Sequence, residues 1–353
     1  MNFPKKNDRI NIRRIAAELQ LSTATVSRAL SPDYAHTVSE KQRRRIHEMC
    51  DQLQYMPNIN AIRTFRNRSD LVALLVPELC LNGNGPIDYN LSGVLGAVER
   101  TLSERGIYCS LVAVTSQFLE KREHLRFCRS KMFDGFLLWG MTERETFVEE
   151  LSAESPPVVS IQGIRSHSGI SSVNADDYNG MIDLVRRVLA CGHRRIGVIP
   201  ALETSQAGRE RNRAVRDALR ETSCVVRFAP ESGFDTQTGQ RGFRALIGQD
   251  DSLSCIICSN DYVAAGVWLE AQKLGIEIPE QLSITGADGL DFPVRIPLTG
   301  YLSPSFELGL SAAQMLQERL DGKIGTPQQR LIPTTFLPGA TLKDLTIQTT
   351  GTL

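Results

Sequence analysis

Apolar positions in the first 55 residues recur at helical spacing, and those after Leu71 fall into short strand-like runs separated by amphipathic helices. Ile12, Ile15, Ala16 and Leu19 stand at i, i+3, i+4 and i+7, which places them on one helix face. Asn11 is suited to cap that helix. Ser22 is suited to open a second helix containing Val26 and Leu30. Ser39, with Gln42 three residues on, has the pattern of a capping box for a third helix, whose apolar face is Ile46, Met49, Cys50 and Leu53. Three such short helices can bury one shared core.

Beyond residue 70 the period changes. Strand candidates are Leu71–Val76, Tyr108–Val114, Gly135–Leu138 and Val158–Ile161, then Ile196–Ile199, Cys224–Phe228, Ser254–Cys258 and Leu282–Thr285. Helix candidates between them include Leu91–Arg105, Asp176–Cys191, Arg209–Arg220 and Asp261–Leu274. Such alternation predicts parallel sheets covered by helices. Two series predict two lobes, with ligands expected where the lobes face each other at strand ends.

Charge separates the same two regions. The chain is formally neutral, yet residues 1–70 hold 13 Lys and Arg against 7 Asp and Glu, leaving 27 against 33 in the rest. A basic head on a mildly acidic body suits a polyanion-binding module joined to another kind of module, although a solvated basic surface gives the same count. No apolar run is long enough for a membrane span, and the amino terminus lacks a secretory h-region. A cytoplasmic protein is expected, with eight unpaired, mostly buried cysteines. Cys255-Ile-Ile-Cys258 has redox or zinc spacing, but it lies in a predicted buried strand without a second Cys/His pair. His193 fits a turn contact better than catalysis. Phosphate-binding Gly-rich loops, His-Glu-x-x-His and Gly-x-Ser-x-Gly are absent from the sequence, so no enzyme, metal or cofactor is expected.

The second helix carries the candidate chemistry. Ser22-Thr23-Ala24-Thr25-Val26-Ser27-Arg28 presents short hydroxyls and one Arg. Short side chains let a helix sit deep in a major groove, hydroxyls and the helix N-terminus can hold phosphates, and Arg can read guanine edges. An ordinary Ser/Thr-rich surface helix remains the alternative. The string Ile12-x-x-Ile15-Ala16-x-x-Leu19-x-Leu21-Ser22-x-Ala24-Thr25-Val26-Ser27-Arg28-Ala29-Leu30, followed by Val38-Ser39 and Leu53-x-Tyr55-x-Pro57-Asn58, closely resembles the headpiece of the lactose/galactose repressor (LacI/GalR) family. That resemblance implies base-edge contacts from Thr23, Ala24 and Arg28. It implies phosphate contacts from Ser22, Thr25, Ser27, Ser31, Ser39, Tyr55 and Asn58. The family usually has Gly where Gln20 stands, and the loop at 32–37 is longer than in the lactose repressor. Downstream, Ala61, Thr64 and Phe65 fall in the segment that forms a hinge helix in the family. Thr64 aligns with the family's Leu minor-groove wedge, and Phe65 is the neighbouring apolar candidate.

The resemblance continues through the body in Gly192-His193-Arg194-Arg195-Ile196, Arg209-x-Arg211, Asn260-Asp261 and Gly286-Ala287-Asp288. It implies an effector held by Arg211, Asn260 and Asp288, with Phe234 packed on its ring and Trp139 lining the pocket from the first lobe. Core packing is the competing role for both aromatics. Gln162 stands where sugar-responsive members often have Asp, and the stretch 81–89 replaces the usual Asn-Pro-Phe-Phe.

The expected fold is an all-α helix-turn-helix headpiece (10–57), a hinge (58–69) and an α/β two-lobed periplasmic-binding-protein-like sensor with parallel sheets (70–345). Lobe 1 is expected over about 70–170 plus 305–331, and lobe 2 over about 171–304 plus 332–345. The expected function is a homodimeric, ligand-regulated repressor. Its partners would be a pseudo-palindromic double-stranded operator and a sugar, a sugar derivative or a purine/nucleoside. A solute-binding protein without DNA function is the alternative. The tail after Lys343 has no heptad repeat, so no tetramerisation helix is expected.

Overall fold

The computed structural model describes residues 10–31, 34–57, 63, 66, 68–80, 89–141, 145–163, 170–290, 297–323 and 325–347. The chain divides into two compact units, Met1–Asp70 and Leu71–Leu353. Asn58, Ala61, Thr64 and Phe65 lie outside the described residues, as do 81–88 of the departing stretch.

The first unit has helices α1 (Ile12–Leu19), α2 (Thr23–Ala29) and α3 (Glu40–Gln52). Each opens on the expected cap. Asn11 accepts from the N–H groups of Arg13 and Arg14, Ser22 from Thr25 and Ser39 from Gln42. These caps satisfy donors that the first helical turn leaves unpaired. Ile15, Val26 and Ile46, one from each helix, are fully buried and anchor a core completed by Ala16, Leu19, Ala29, Val38 and Cys50. Burying side chains of this kind contributes about 1.5–3 kcal/mol each, and no single short helix could do it alone. Gln20 ends α1 in the left-handed conformation, φ 54° and ψ 42°.

The second unit contains two parallel sheets. The first has the order β11-β5-β4-β3-β1-β2, formed by β1 (Leu71–Pro77), β2 (Tyr108–Val114), β3 (Gly135–Trp139), β4 (Val158–Ile161), β5 (Ser171–Ala175) and β11 (Gln329–Ile332). Period-two alternation distributes its side chains. Val72, Leu74 and Val76 face α4 (Tyr89–Ser103) and α12 (Ser305–Leu320), whereas Ala73 and Leu75 face α5 (Ser116–Glu120), α6 (Glu123–Arg129) and α7 (Thr146–Ala153). Both faces are covered, which explains why β1 reads as one apolar run.

The second sheet has the order β7-β6-β8-β9, formed by β6 (Arg195–Ile199), β7 (Val225–Phe228), β8 (Cys255–Cys258) and β9 (Ser283–Thr285). Helices α8 (Asp177–Ala190) and α9 (Gln206–Leu219) cover one face; α10 (Thr236–Gln249) and α11 (Asp261–Lys273) cover the other. An antiparallel ribbon of β10 (Gly300–Leu302) and β12 (Thr335–Leu337) lies beside it. The chain passes between the sheets after β5, after β10 and after β11. β5 belongs to the first sheet, so the first crossover falls at residue 176 rather than near 170. Its Ser-Ser-Val-Asn-Ala sequence has too few apolar residues to read as a buried strand, yet all five are buried. Among the described residues no helix is long and apolar enough to cross a membrane.

Candidate functional site

In the first unit, α2 displays Ser22, Thr23, Ala24 and Arg28 at the surface, with Thr25 and Ser27 half-buried. The Ser22 hydroxyl accepts the Thr25 N–H at 3.0 Å and lies 2.8 Å from Thr25 Oγ1, which fixes both side chains at the helix start. Arg28 Nε donates to the Ala24 carbonyl at 3.3 Å, so the guanidinium lies back along its own helix. The α2 surface can therefore enter a groove without a bulky side chain in the way. Ser39 is exposed, and Tyr55 is half-buried against the headpiece core. Ser31 departs from expectation. It is 5% exposed, and its buried hydroxyl has no hydrogen-bond partner among the described residues, because it sits just past α2 with the side chain turned inward.

In the second unit, Arg211 of α9 meets the chain where it crosses between sheets. Its Nε donates to Asp177 Oδ1 at 2.9 Å, Nη1 to the Ser259 carbonyl at 2.9 Å and Nη2 to Asp288 Oδ1 at 2.6 Å. Nη2 is also 2.8 Å from Asp177 Oδ1. Tyr301 Oη donates to the same Asp177 oxygen at 3.0 Å, and Gln162 Nε2 donates to Asp177 Oδ2 at 3.2 Å. Burial opposes the Arg211 charge, but the flanking Asp177 and Asp288 carboxylates outweigh it and raise the guanidinium well above its ordinary pKa. Burial holds the Tyr301 phenol protonated, so it is a donor. Asp288 adopts φ 106°, a backbone strain at the point where its carboxylate turns towards Arg211. Nearby Asp261 is buried and accepts the Leu290 N–H at 2.7 Å. Burial, then repulsion from Asp288, pushes its carboxyl up to about 8.

Of the expected effector residues, the structure gathers Arg211 and Asp288 directly. Asn260 caps α11: its Oδ1 accepts the Val263 N–H at 2.9 Å, while Nδ2 donates to the Phe234 carbonyl at 3.0 Å. It thereby holds Phe234, which is half-buried, beside the cluster. Trp139 is 4% exposed and packs in the core with Val76, Ile161 and Ala175 at the end of a strand covered on both faces, which is the competing role.

Residues 11–58 match the model for bacterial regulatory proteins of the lacI family, and residues 185–342 match that for a periplasmic binding protein-like domain. The chain belongs to the LacI/GalR family. Its relatives include the HTH-type transcriptional repressor CytR of Escherichia coli (strain K12), 26% identical over 92% of this chain and 93% of that one. Solved structures alike in fold include a transcriptional regulator CelR–cellobiose complex, with TM-score 0.69, 23% identity and coverage of 94% and 100%. Another is the lac repressor dimer bound to operator and the anti-inducer ONPF, with TM-score 0.79, 17% identity and coverage of 95% and 99%. The LacI/GalR family consists of transcriptional regulators rather than enzymes.

Within this LacI/GalR protein, Asp177 and Tyr301 are the cluster members that motif reading did not place there, whereas Gln162 already stood at a position of the expected pocket. The Asp176-Asp177 pair at a helix start was the available signal. Asp176 takes the cap, accepting the Asn179 N–H at 3.2 Å, and Asp177 turns into the interior. His193 is structural. Its Nε2–H donates to the Lys343 carbonyl at 3.0 Å and Nδ1 lies 2.9 Å from the Ser254 hydroxyl, joining the carboxy-terminal segment to the second sheet. Cys255 and Cys258 face opposite sides of β8, in separate cores, and burial raises both thiols. None of the eight cysteines is in a disulfide. Among the described residues no His, Cys, Asp and Glu grouping could hold a metal.

Proposed function

We propose that this protein is a DNA-binding transcriptional repressor that acts as a homodimer on a pseudo-palindromic duplex and is controlled by a small molecule bound at the Arg211 cluster. The observation that carries the DNA reading is α2: an exposed row of Ser22, Thr23, Ala24 and Arg28 on a helix held rigid by a closed core. Arg28 has the reach for a guanine edge, Thr23 for a base or phosphate, and Ala24 for a thymine methyl. Ser22, Thr25, Ser27, Ser39 and Tyr55 supply groups suited to the backbone. By the family resemblance Asn58, Ala61, Thr64 and Phe65 also contact the duplex in this reading, with Phe65 or Thr64 at the minor groove.

For the effector, a buried fork of Arg211 and Asp288 beside Phe234 suits a polyhydroxylated ring, a sugar or sugar derivative first and a purine nucleoside second. Differential affinity of that ligand for two lobe arrangements shifts the DNA-binding population. The test is selection of a duplex from a random pool, followed by gel-shift titration at several salt concentrations. Arg28→Ala is expected to weaken the selected duplex by about 1–3 kcal/mol while binding to random duplex is retained. A solute-binding protein without DNA function predicts no selected consensus and equal, weak binding by wild type and variant.

A further inference from the structure

We propose that the effector of this repressor is uncharged where it is recognised, and that Asp177 excludes phosphorylated and carboxylate-bearing ligands by serving as the resident anion of Arg211. The proposal rests on the reading of the Arg211 cluster as the effector site. A buried guanidinium is ordinarily a ready seat for an anion, which approaches the edge formed by Nε and one Nη with two parallel hydrogen bonds. In this protein that edge is taken. Asp177 Oδ1 lies 2.9 Å from Nε and 2.8 Å from Nη2. The other Nη2 proton goes to Asp288 at 2.6 Å, and one Nη1 proton to the Ser259 carbonyl at 2.9 Å. Among the described residues, four of the five guanidinium protons are taken, which leaves one on Nη1 for a ligand.

Asp177 is also held in place from its other sides. Tyr301 donates to Oδ1 at 3.0 Å and Gln162 to Oδ2 at 3.2 Å. Gln162 is itself fixed, because its Oε1 accepts the Ala175 N–H at 2.6 Å across the loop between β4 and β5. It keeps this position with a left-handed backbone, φ 51°. Asp at this position, in place of Gln162, would repel Asp177; the amide instead anchors it. One guanidinium thus faces two carboxylates, Asp177 and Asp288, both already ion-paired to it. An entering phosphate has to displace Asp177 from that edge or approach its carboxylate in a low-dielectric interior, whereas a hydroxyl or a neutral ring nitrogen does neither.

The test is isothermal titration of the full-length protein with three matched pairs: D-ribose and its 5-phosphate, D-glucose and its 6-phosphate, adenosine and its 5′-monophosphate. The neutral member of at least one pair is expected to bind at least 100-fold more tightly than its phosphate ester, and Arg211→Ala to abolish that binding. Asp177→Asn is expected to narrow the gap at least tenfold. Asp177→Asn with Gln162→Ala serves if the single variant does not fold, since it removes the opposed amide donors. A phosphate ester binding as well as its neutral partner overturns the proposal while leaving the effector site standing, as does a folded Asp177→Asn protein with the wild-type preference. If no compound binds in an Arg211-dependent way, the effector-site reading falls and the proposal with it.

Discussion

Replacing Arg211 with Met keeps most of the side-chain length and removes the charge from a residue that is 3% exposed. Asp177 retains Tyr301 and Gln162 as donors, whereas Asp288 loses its 2.6 Å ion pair. Two buried carboxylates then lose the guanidinium that stands between them. Breaking a buried pair by removing one partner costs about 3–5 kcal/mol, and these contacts fall in that range because both acids are nearly inaccessible. Urea unfolding followed by tryptophan fluorescence reports this unit alone, since both tryptophans, Trp139 and Trp268, lie after residue 70. With a slope near 3 kcal/mol per molar, the midpoint should fall by roughly 1–1.7 M. Adding Asp177→Asn and Asp288→Asn to Arg211→Met should recover more than half of the loss, because the uncompensated charges are gone. A single substitution costing under about 1 kcal/mol would refute the reasoning. A triple variant no better than the single would show that lost packing, not unpaired charge, sets the penalty.

Four further outcomes follow from other parts of the chain. Gln20→Gly should stabilise the headpiece by about 1 kcal/mol by relieving the left-handed φ of 54°, read as slower hydrogen exchange in α1 and α2; unchanged or faster exchange would show the strain to be offset. Burial lowers the His193 pKa from its ordinary 6.5, so the folded state binds its proton less readily than the unfolded state. His193 stability is therefore full above pH 6.5 and is lost as pH falls through the folded value. His193→Gln should flatten the acid side of the urea midpoint profile, and a parallel profile would exclude this role. Asp261 has the opposite sign: its carboxyl, raised from 3.8 to about 8, loses its contribution to folding as pH rises between those values, and Asp261→Asn should gain stability over wild type from about pH 4 to about pH 8. A difference independent of pH would place the ionised form in the fold. Arg28→Ala, finally, should leave the melting of the body unchanged while removing duplex selectivity; loss of both would make the substitution structural.

Much of the fold was legible because it depends on local periodicity. Ile15, Val26 and Ile46 each sit where helical spacing puts them, and their caps Asn11, Ser22 and Ser39 act within three residues. The strands β1, β3, β4, β6 and β8 are runs of residues apolar enough to be buried on both faces, whereas β2, at the sheet edge, is apolar but only half-buried. By contrast β5 relies on Ser171, Ser172 and Asn174 inside the sheet, and no hydropathy pattern marks it. The headpiece surface was legible for the same local reason: once α2 and its buried Val26 are placed, the exposed face follows from the helical pitch.

The candidate effector cluster was a matter of tertiary structure. Arg211 meets an acid 34 residues before it and another 77 residues after it, brought together only because the chain crosses between its two sheets beside α9. A rotation of roughly 100° per residue separates Asp176, a surface cap, from Asp177, a buried counter-ion, and sequence spacing cannot say which of the pair turns inward. The same distinction places Ser31 and Trp139 inside and commits Asn260 to its cap. The sequence thus determined which segments form helices and strands and which helix face is offered to a partner. The tertiary structure decided which buried charges neutralise one another, because that depends on distances between side chains that the local period does not contain.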